Sequence, residues 1–221
     1  MKLNVLYEDN HLIAVEKPAG VLTQGDETGD VSLMDEVKKY LKEKYQKPGN
    51  VFLGLLHRLD RPVSGIILFA KTSKGASRLS EQFRNHSIVK IYHAVVVGKP
   101  GQNRGVLINY LDKDEKNKRA IILDNNLGQE AELYYEVVAS NDKYSLLKIK
   151  LETGRFHQIR VQLANAGCPI LGDLKYGAIF SLPDKNLALA ATDFSFETAT
   201  TGDQINLSIP LPTEWEKYVK E

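Results

Sequence analysis

The 221-residue chain has a single cysteine, Cys168, a single tryptophan, Trp215, and two methionines. One cysteine excludes an internal disulfide. Without a CxxC pair or a Cys/His cluster, the usual spacings of structural zinc are excluded too. The longest apolar runs, Ile66–Ala70 and residues 187–192, are much shorter than the roughly 20 residues a membrane-spanning helix needs. The N-terminus lacks the charged-then-apolar pattern of a secretory signal, because Lys2 is followed within a few residues by Glu8, Asp9 and Asn10. The chain also has no low-complexity linker, internal repeat or heptad array. The expectation is a soluble, cytoplasmic protein with an ordinary globular core, its 43% hydrophobic and 26% charged residues being near the average for folded domains. The length suits one large domain or two intimately fused halves.

Net charge is also scarce, at +1, but its distribution is uneven. Residues 71–104 hold seven basic side chains (Lys71, Lys74, Arg78, Arg84, Lys90, Lys99 and Arg104) against one acid, Glu81. The first fifty residues and the last forty-four are both net acidic. Local positive potential of this kind suits a phosphate-bearing partner, and it equally describes a solvated basic helix face.

Hydrophobic periodicity predicts two short strands, 3–7 and Leu12–Glu16, joined by a turn at residues 8–10. Ser32 and Asp35 form a capping box ahead of a helix carrying Leu33, Val37, Tyr40 and Leu41. A strand at 66–70 follows, and then a helix capped by Ser73 that ends near Asn85. Strand-like runs occupy 89–97, 104–110, 119–123, 131–139 and 144–151, rich in Val, Ile and Tyr. A third helix is expected over about 155–166, with Thr153 as its N-cap and Gly167 as its stop. Thr213 with Glu216 is expected to cap a last short helix. Successive strands with a few helices between them indicate an α+β fold with a large mixed, mostly antiparallel sheet, flanking helices and a central cleft.

The densest group of unusual residues is His57-Arg58-Leu59-Asp60-Arg61-Pro62-Val63-Ser64-Gly65. Pro62 and Gly65 mark a loop in front of an apolar strand, a place where scaffolds present reactive groups. Flanking arginines favour the ionised form of Asp60, and an ionised carboxylate is a competent nucleophile. A loop salt bridge is the plainer alternative. The order His-Arg-Leu-Asp, with no Asn at the right distance and no preceding glycine-rich loop, rules out a kinase catalytic loop. A second group, Thr153-Gly154-Arg155-Phe156-His157-Gln158-Ile159-Arg160, places Arg and His at the start of a helix, a natural anion site, although such residues are more often simply surface residues. In the strand Lys90-Ile91-Tyr92-His93-Ala94, alternation puts Tyr92 and Ala94 on one face. A strand tyrosine is more often part of a core. The segment from Gly167 to Gly177 reads as a demanding turn, with Cys168 inert inside it.

Together these segments resemble the RluA family of RNA pseudouridine synthases. His57–Gly65 is similar to its HRLDxxTSG signature and Lys90–Ala94 to its K-x-Y-x-A strand. Residues 154–160 resemble GRxHQIR, residues 167–177 resemble GxPIxGDxxYG, and the opening through Lys17-Pro18-Ala19-Gly20 also fits. The resemblance runs over about residues 3–210 in family order. It implies Asp60 as the catalytic aspartate, Tyr92 as the active-site tyrosine and Arg160 as the basic partner of that aspartate. It also implies that Arg58 enters the RNA where the target base leaves. His57, Arg61, Lys90, Arg155 and His157 join Arg58 as expected RNA-binding residues. No cofactor and no metal are expected. The partner is RNA, a ribosomal or transfer RNA stem-loop, and a monomer with no obligate protein partner is expected. Residues 1–221 are expected to form the catalytic domain alone, without a separate N-terminal RNA-binding domain. Val63 departs from the family's usual Thr, and residues 187–191 follow the family pattern only loosely.

Two other classes remain open on the residues alone. A carboxylate-based nucleosidase or glycosidase requires a second acid near Asp60, which no motif supplies. A non-catalytic RNA-binding protein accounts for the basic stretch but not for Asp60, Tyr92 and Arg160 together.

Overall fold

The computed structural model describes residues 2–124 and 127–220. Its contacts cluster into two compact units, one of residues 1–88 and 193–209, the other of residues 89–192 and 210–221.

In the first unit the strands are β1 (Asn4–Glu8), β2 (Leu12–Lys17), β3 (Gly54–Leu55), β4 (Ser64–Ala70), β11 (Gln204–Ser208) and the second half of β10 (Leu189–Glu197). The order is β1-β2-β4-β10, with β3 paired to β4 and β11 to β10. The pairs β1–β2, β2–β4, β3–β4 and β10–β11 are antiparallel. Strand β4 is apolar almost throughout and buried on both faces, and with Leu12, Ala14, Phe194 and Phe196 it makes the core of this unit. Helix α1 (Leu33–Lys44) starts at the expected capping box: the Ser32 side chain accepts from the Asp35 amide, and the Asp35 side chain accepts from the Ser32 amide. Its Leu33, Val37 and Leu41 face inward.

Helix α2 (Ser73–Arg84) differs by one residue from the expectation, because Thr72 is the N-cap and Ser73 the first helical residue. The Thr72 hydroxyl accepts from the Gly75 amide at 3.1 Å and also lies 2.8 Å from His11 Nδ1. A side chain at Gly75 would place its Cβ 2.6 Å from the His11 carbonyl oxygen, so only glycine lets this helix start so close to the β1–β2 turn.

The second unit holds β5 (Val89–Val97), β6 (Arg104–Asp114), β7 (Arg119–Leu123), β8 (Gln129–Ser140) and β9 (Tyr144–Leu151), with the first half of β10. The order is β10-β5-β9-β8-β6-β7, and every pair from β5 to β7 is antiparallel. Helix α3 (Gln158–Asn165) packs near β6 and β7, and the short α4 (Glu216–Val219) near β9. The pattern is α+β with mostly antiparallel pairing, as the run of β-branched segments implied.

Two helix starts depart from expectation. Helix α3 begins at Gln158 because His157 takes a left-handed conformation, φ 51° and ψ 23°, which interrupts any helix running through it. Thr153 caps nothing: its hydroxyl accepts from the Glu132 amide and donates to Gln158 Oε1. Near the C-terminus, residues 213–215 form a 3₁₀ turn after Pro212 before α4 begins at Glu216, so Thr213 is inside a turn rather than capping a helix. No helix among the described residues is long and apolar enough to cross a membrane.

Candidate active site

Asp60 lies in the loop that enters β4 and is half-buried. The main chain on both sides of it is clamped by residues 17–23. On the N-terminal side, the Thr23 hydroxyl donates to the Leu59 carbonyl at 2.7 Å and accepts from the Leu59 amide at 3.2 Å. On the C-terminal side, the Arg61 carbonyl accepts from the Gly20 amide at 2.8 Å and from the Lys17 ammonium at 3.1 Å. The Asp60 carbonyl accepts from the Val63 amide at 3.0 Å, closing a turn, and Val63 itself is buried. Four residues, Leu59, Asp60, Arg61 and Val63, are thereby fixed through main-chain groups, and the Asp60 carboxylate is carried on that fixed main chain. Val63 serves as a core anchor, so the missing threonine hydroxyl takes nothing from this framework.

Lys17 is the least expected member of the site. It is completely enclosed, and its ammonium also donates to the carbonyls of Pro18 and Val21 at 3.1 and 2.7 Å. Burial pushes its pKa down from 10.5 to about 7; the charge of Asp60 opposes that shift and Arg61 adds to it.

The expected RNA-binding side chains of this loop divide. Arg58 is exposed. Arg61 turns back, its Nε donating to the Gly20 carbonyl at 3.0 Å and its Nη2 lying 2.7 Å from Asp30. His57 faces inward: its Nε2 accepts from the Leu68 amide at 3.0 Å, and its ring stacks on Phe194, 4.8 Å between centroids, beside Phe83. An imidazole so held supports β4 from beneath the loop.

In the second unit, Tyr92 is buried in β5 opposite Ile149, on the same face as Ala94. Lys90, two residues earlier, has a pKa lowered by burial and partly restored by Glu152. Its ammonium lies 3.8 Å from where a Cβ on Gly154 would stand, so the strand motif meets the start of the Gly154–Arg160 segment. In that segment Arg155 is exposed and its Nε donates to the Glu130 carbonyl. His157 stacks on Phe156 and its Nδ1 lies 2.9 Å from the Tyr176 hydroxyl.

Arg160 is buried on α3. Its guanidinium makes a two-pronged bond to Asp173, Nε to Oδ2 at 2.7 Å and Nη2 to Oδ1 at 2.9 Å, over the Tyr176 ring 5.1 Å away. Asp173 is 1% exposed. The planar fork is thus fixed by a carboxylate that the sequence left inside a turn motif with no role of its own.

The basic stretch needs correction. Lys71 is buried, its ammonium 2.7 Å from Glu8 and 2.7 Å from the Asp9 carbonyl, so it holds β1 and β4 together instead of facing a partner. Arg78 pairs with Glu81 and Arg104 with Glu136 at the surface. Stretch-wide positive charge is therefore smaller than the residue count implies.

Sequence reasoning left three contributors without a role: Lys17, Thr23 and Asp173. For Lys17 there was a signal, a lysine closing the apolar run Leu12–Val15 immediately before Pro18. For Thr23 there was none.

A family model described as RNA pseudouridylate synthase matches residues 11–165, a span that includes Asp60, Tyr92 and Arg160. The chain is 35% identical over 211 residues to the ribosomal large subunit pseudouridine synthase C of Rickettsia typhi, covering 94% of this chain and 68% of the relative. It is 32% identical over 222 residues to the RNA pseudouridine synthase YhcT of Bacillus subtilis, covering 99% and 72%. Among solved structures, human RNA pseudouridylate synthase domain containing 4 superposes with a TM-score of 0.79 at 24% identity, over 96% of this chain and 90% of that one, a likeness of fold. The chain belongs to the RNA pseudouridylate synthase family and is an RNA-modifying isomerase.

Proposed function

We propose that this enzyme converts specific uridines of structured ribosomal or transfer RNA to pseudouridine with Asp60 as the catalytic carboxylate. Ribosomal RNA is favoured by the names of the relatives from Rickettsia. The observation that carries the assignment of Asp60 is its setting: a loop whose main chain is gripped on one side by the Thr23 hydroxyl and on the other by the Lys17 ammonium, with the carboxylate as its one acidic side chain. Such pre-positioning is what a group acting on a bound substrate requires.

Isomerisation breaks the N1–C1′ bond, turns the uracil and joins C5 to C1′; the proton lost from C5 is balanced by one gained at N1, so no atom is added or removed. A base inside a duplex or a stacked loop must first be flipped out, at a cost of a few kcal/mol. Arg58, exposed beside Asp60, fills the gap left in the stack. Attack of Asp60 on C1′, its attack on C6 and assisted glycal formation all start from the ionised carboxylate. Arg160, held rigid by Asp173, orients and stabilises that carboxylate. Tyr92 stacks on the uracil and accepts the proton lost from C2′ or C5. Lys90, Arg155 and His157 meet the RNA, while His57 and Arg61 contribute by shaping the loop. The protein works as a cytoplasmic monomer whose partner is RNA.

The test is a map of pseudouridines in ribosomal and transfer RNA from cells lacking the chain. At least one site should be lost, restored by the wild-type protein and left unmodified by Asp60→Asn. An unchanged map would refute the proposal.

A further inference from the structure

Residues 38–47 hold five lysines, Lys38, Lys39, Lys42, Lys44 and Lys47, and Glu43 is the only acid from residue 37 to residue 59. Helix α1 and the turn after it carry all five lysines, in the same compact unit as the Asp60 loop. Lys38, Lys42 and Tyr45 are spaced i, i+4 and i+7 and so share one flank, beside the inward row of Leu33, Val37 and Leu41. After the helix, Gln46 takes a left-handed conformation, φ 48°, and the Lys47 amide returns to the Lys42 carbonyl at 3.1 Å. That turn brings the Lys47 ammonium over the Tyr45 ring, 5.7 Å from its centroid, where Lys44 and Lys71 already stand at 5.5 and 4.8 Å. Tyr45 is 46% exposed.

A single carboxylate serves this group. Glu8 accepts from Lys44 and Tyr40 through Oε2 and from Lys71 and Tyr45 through Oε1, which fixes the tyrosines and two of the lysines. Among the described residues neither Lys42 nor Lys47 has an ion pair. Like charges four apart on a helix repel, and a left-handed residue other than glycine is strained. Both costs are borne to gather cations that no carboxylate of the fold neutralises. A polyanion neutralises them, and the phosphates of RNA are the polyanion that an RNA-modifying isomerase meets.

The other end of α1 is tied to the clamp on the Asp60 loop. The Leu33 amide donates to the Leu22 carbonyl at 2.8 Å and the Met34 amide to the Thr23 carbonyl at 3.1 Å, while the Thr23 hydroxyl grips Leu59. Twelve residues at about 1.5 Å each set the cationic end roughly 18 Å from that clamp. A contact at that distance holds the RNA without touching the reacting base.

We propose that Lys42 and Lys47, on either side of the Lys44–Tyr45 corner, form a phosphate grip for the RNA backbone outside the flipped nucleotide. Lys44 and Lys71 keep the corner in shape through Glu8. The grip reads no sequence; it adds affinity and fixes the register of the RNA on this unit. The inference rests on the RNA-isomerase reading above and adds to it a place where the substrate is held.

The experiment uses the full chain and transcribed large-subunit ribosomal RNA. Filter binding to Asp60→Asn, from about 50 to about 200 mM salt, reads affinity without turnover. Three pairs of changes are added to it: Lys42→Gln with Lys47→Gln, Lys42→Arg with Lys47→Arg, and the exposed control pair Lys143→Gln with Lys217→Gln, which removes the same charge elsewhere. The grip's glutamine pair should flatten the slope of log affinity against log salt by about two units and weaken binding about tenfold. The arginine pair and the control pair should keep the parent slope, since the first retains the charge and the second lies outside the grip. With Asp60 intact, the grip's glutamine pair should raise KM about tenfold while kcat stays within about twofold, as a loss of binding away from the chemistry requires. An unchanged slope, an arginine pair as weak as the glutamine pair, or an equal loss in the control pair overturns the grip. Absence of pseudouridine from the wild-type reaction, with the slope still dependent on Lys42 and Lys47, overturns the isomerase reading instead and leaves the grip standing.

Discussion

The ammonium of Lys17 reaches 44 residues along the chain to the carbonyl oxygen of Arg61, the residue that follows Asp60. A lysine charge has thus been buried to hold a main-chain oxygen, an arrangement that costs desolvation and is offset by three carbonyl acceptors. Replacing it with an isosteric apolar group removes that donor from all three carbonyls and leaves the Arg61 carbonyl held by the Gly20 amide alone. Lys17→Met should therefore lower the melting temperature and reduce turnover at least tenfold on the order of 1.4 kcal/mol, with single-turnover kinetics and thermal unfolding as the measurements. Wild-type turnover from the variant would show that Gly20 and Thr23 hold the loop unaided.

The same lysine makes stability depend on pH in a defined direction. Its pKa is about 7 in the folded protein against 10.5 when free, so below about 7 both states carry the proton. Between those values the unfolded chain holds the proton and the folded one releases it. Stability contributed by this group therefore rises with pH across that window. Denaturant unfolding of wild type and Lys17→Met from pH 6.5 to 10, chosen as about the span of the titration, should show the wild type gaining relative to the variant as pH increases. A constant difference would mean that Lys17 keeps its proton throughout.

Glu8 predicts the opposite trend at the acid end. Burial alone would raise its pKa, but hydrogen bonds from Lys44, Lys71 and Tyr45 outweigh burial and bring it down to about 2 from 4.5. The contribution is fully present above the unfolded value and is lost as pH falls toward 2. Glu8→Gln should destabilise the protein at neutral pH, on the order of 3 kcal/mol because Lys71 is left buried and unpaired. The gap between wild type and variant should close progressively below about pH 4.5 in acid-unfolding curves.

Removing the Asp60 carboxylate should abolish pseudouridine formation without unfolding the loop, since the loop is fixed through its main chain. Asp60→Asn and Asp60→Ala are expected to keep the wild-type circular dichroism spectrum and to make no product above background. Product from either variant would move the chemistry to another residue.

Arg160 and Asp173 should behave as one unit. Each alone leaves a buried charge uncompensated, which costs about 3–5 kcal/mol of stability. Arg160→Met with Asp173→Leu should fold better than Asp173→Leu alone yet remain inactive. A double variant as unstable as the sum of its parts would show that the two-pronged bond carries no coupling.

Much of the fold was legible from local pattern. The capping box at Ser32 and Asp35, the apolar strand β4 and the β-branched runs of β5 to β9 each declare themselves within a few residues. Departures came where a single conformation overrode the pattern. Helix α3 begins three residues late because His157 is left-handed, and its periodic residues give no warning of that. Strands β10 and β11 were not anticipated, since the alanine-rich start of β10 has no alternation and β11 is short.

By itself the sequence determined the family, the α+β class and the identity of the conspicuous charged residues, because motif spacing and hydrophobic period are properties of neighbours along the chain. Only the tertiary structure decided what those charges do. Lys71, counted with the basic stretch, is buried against Glu8; Arg160 is held by Asp173; Lys17 and Thr23 grip the main chain on either side of Asp60. Each of those outcomes depends on which distant groups share a buried space. In that space an unpaired charge or donor costs far more than in water, so the partner that long-range strand pairing and loop packing bring near, and not the residue type, sets the role.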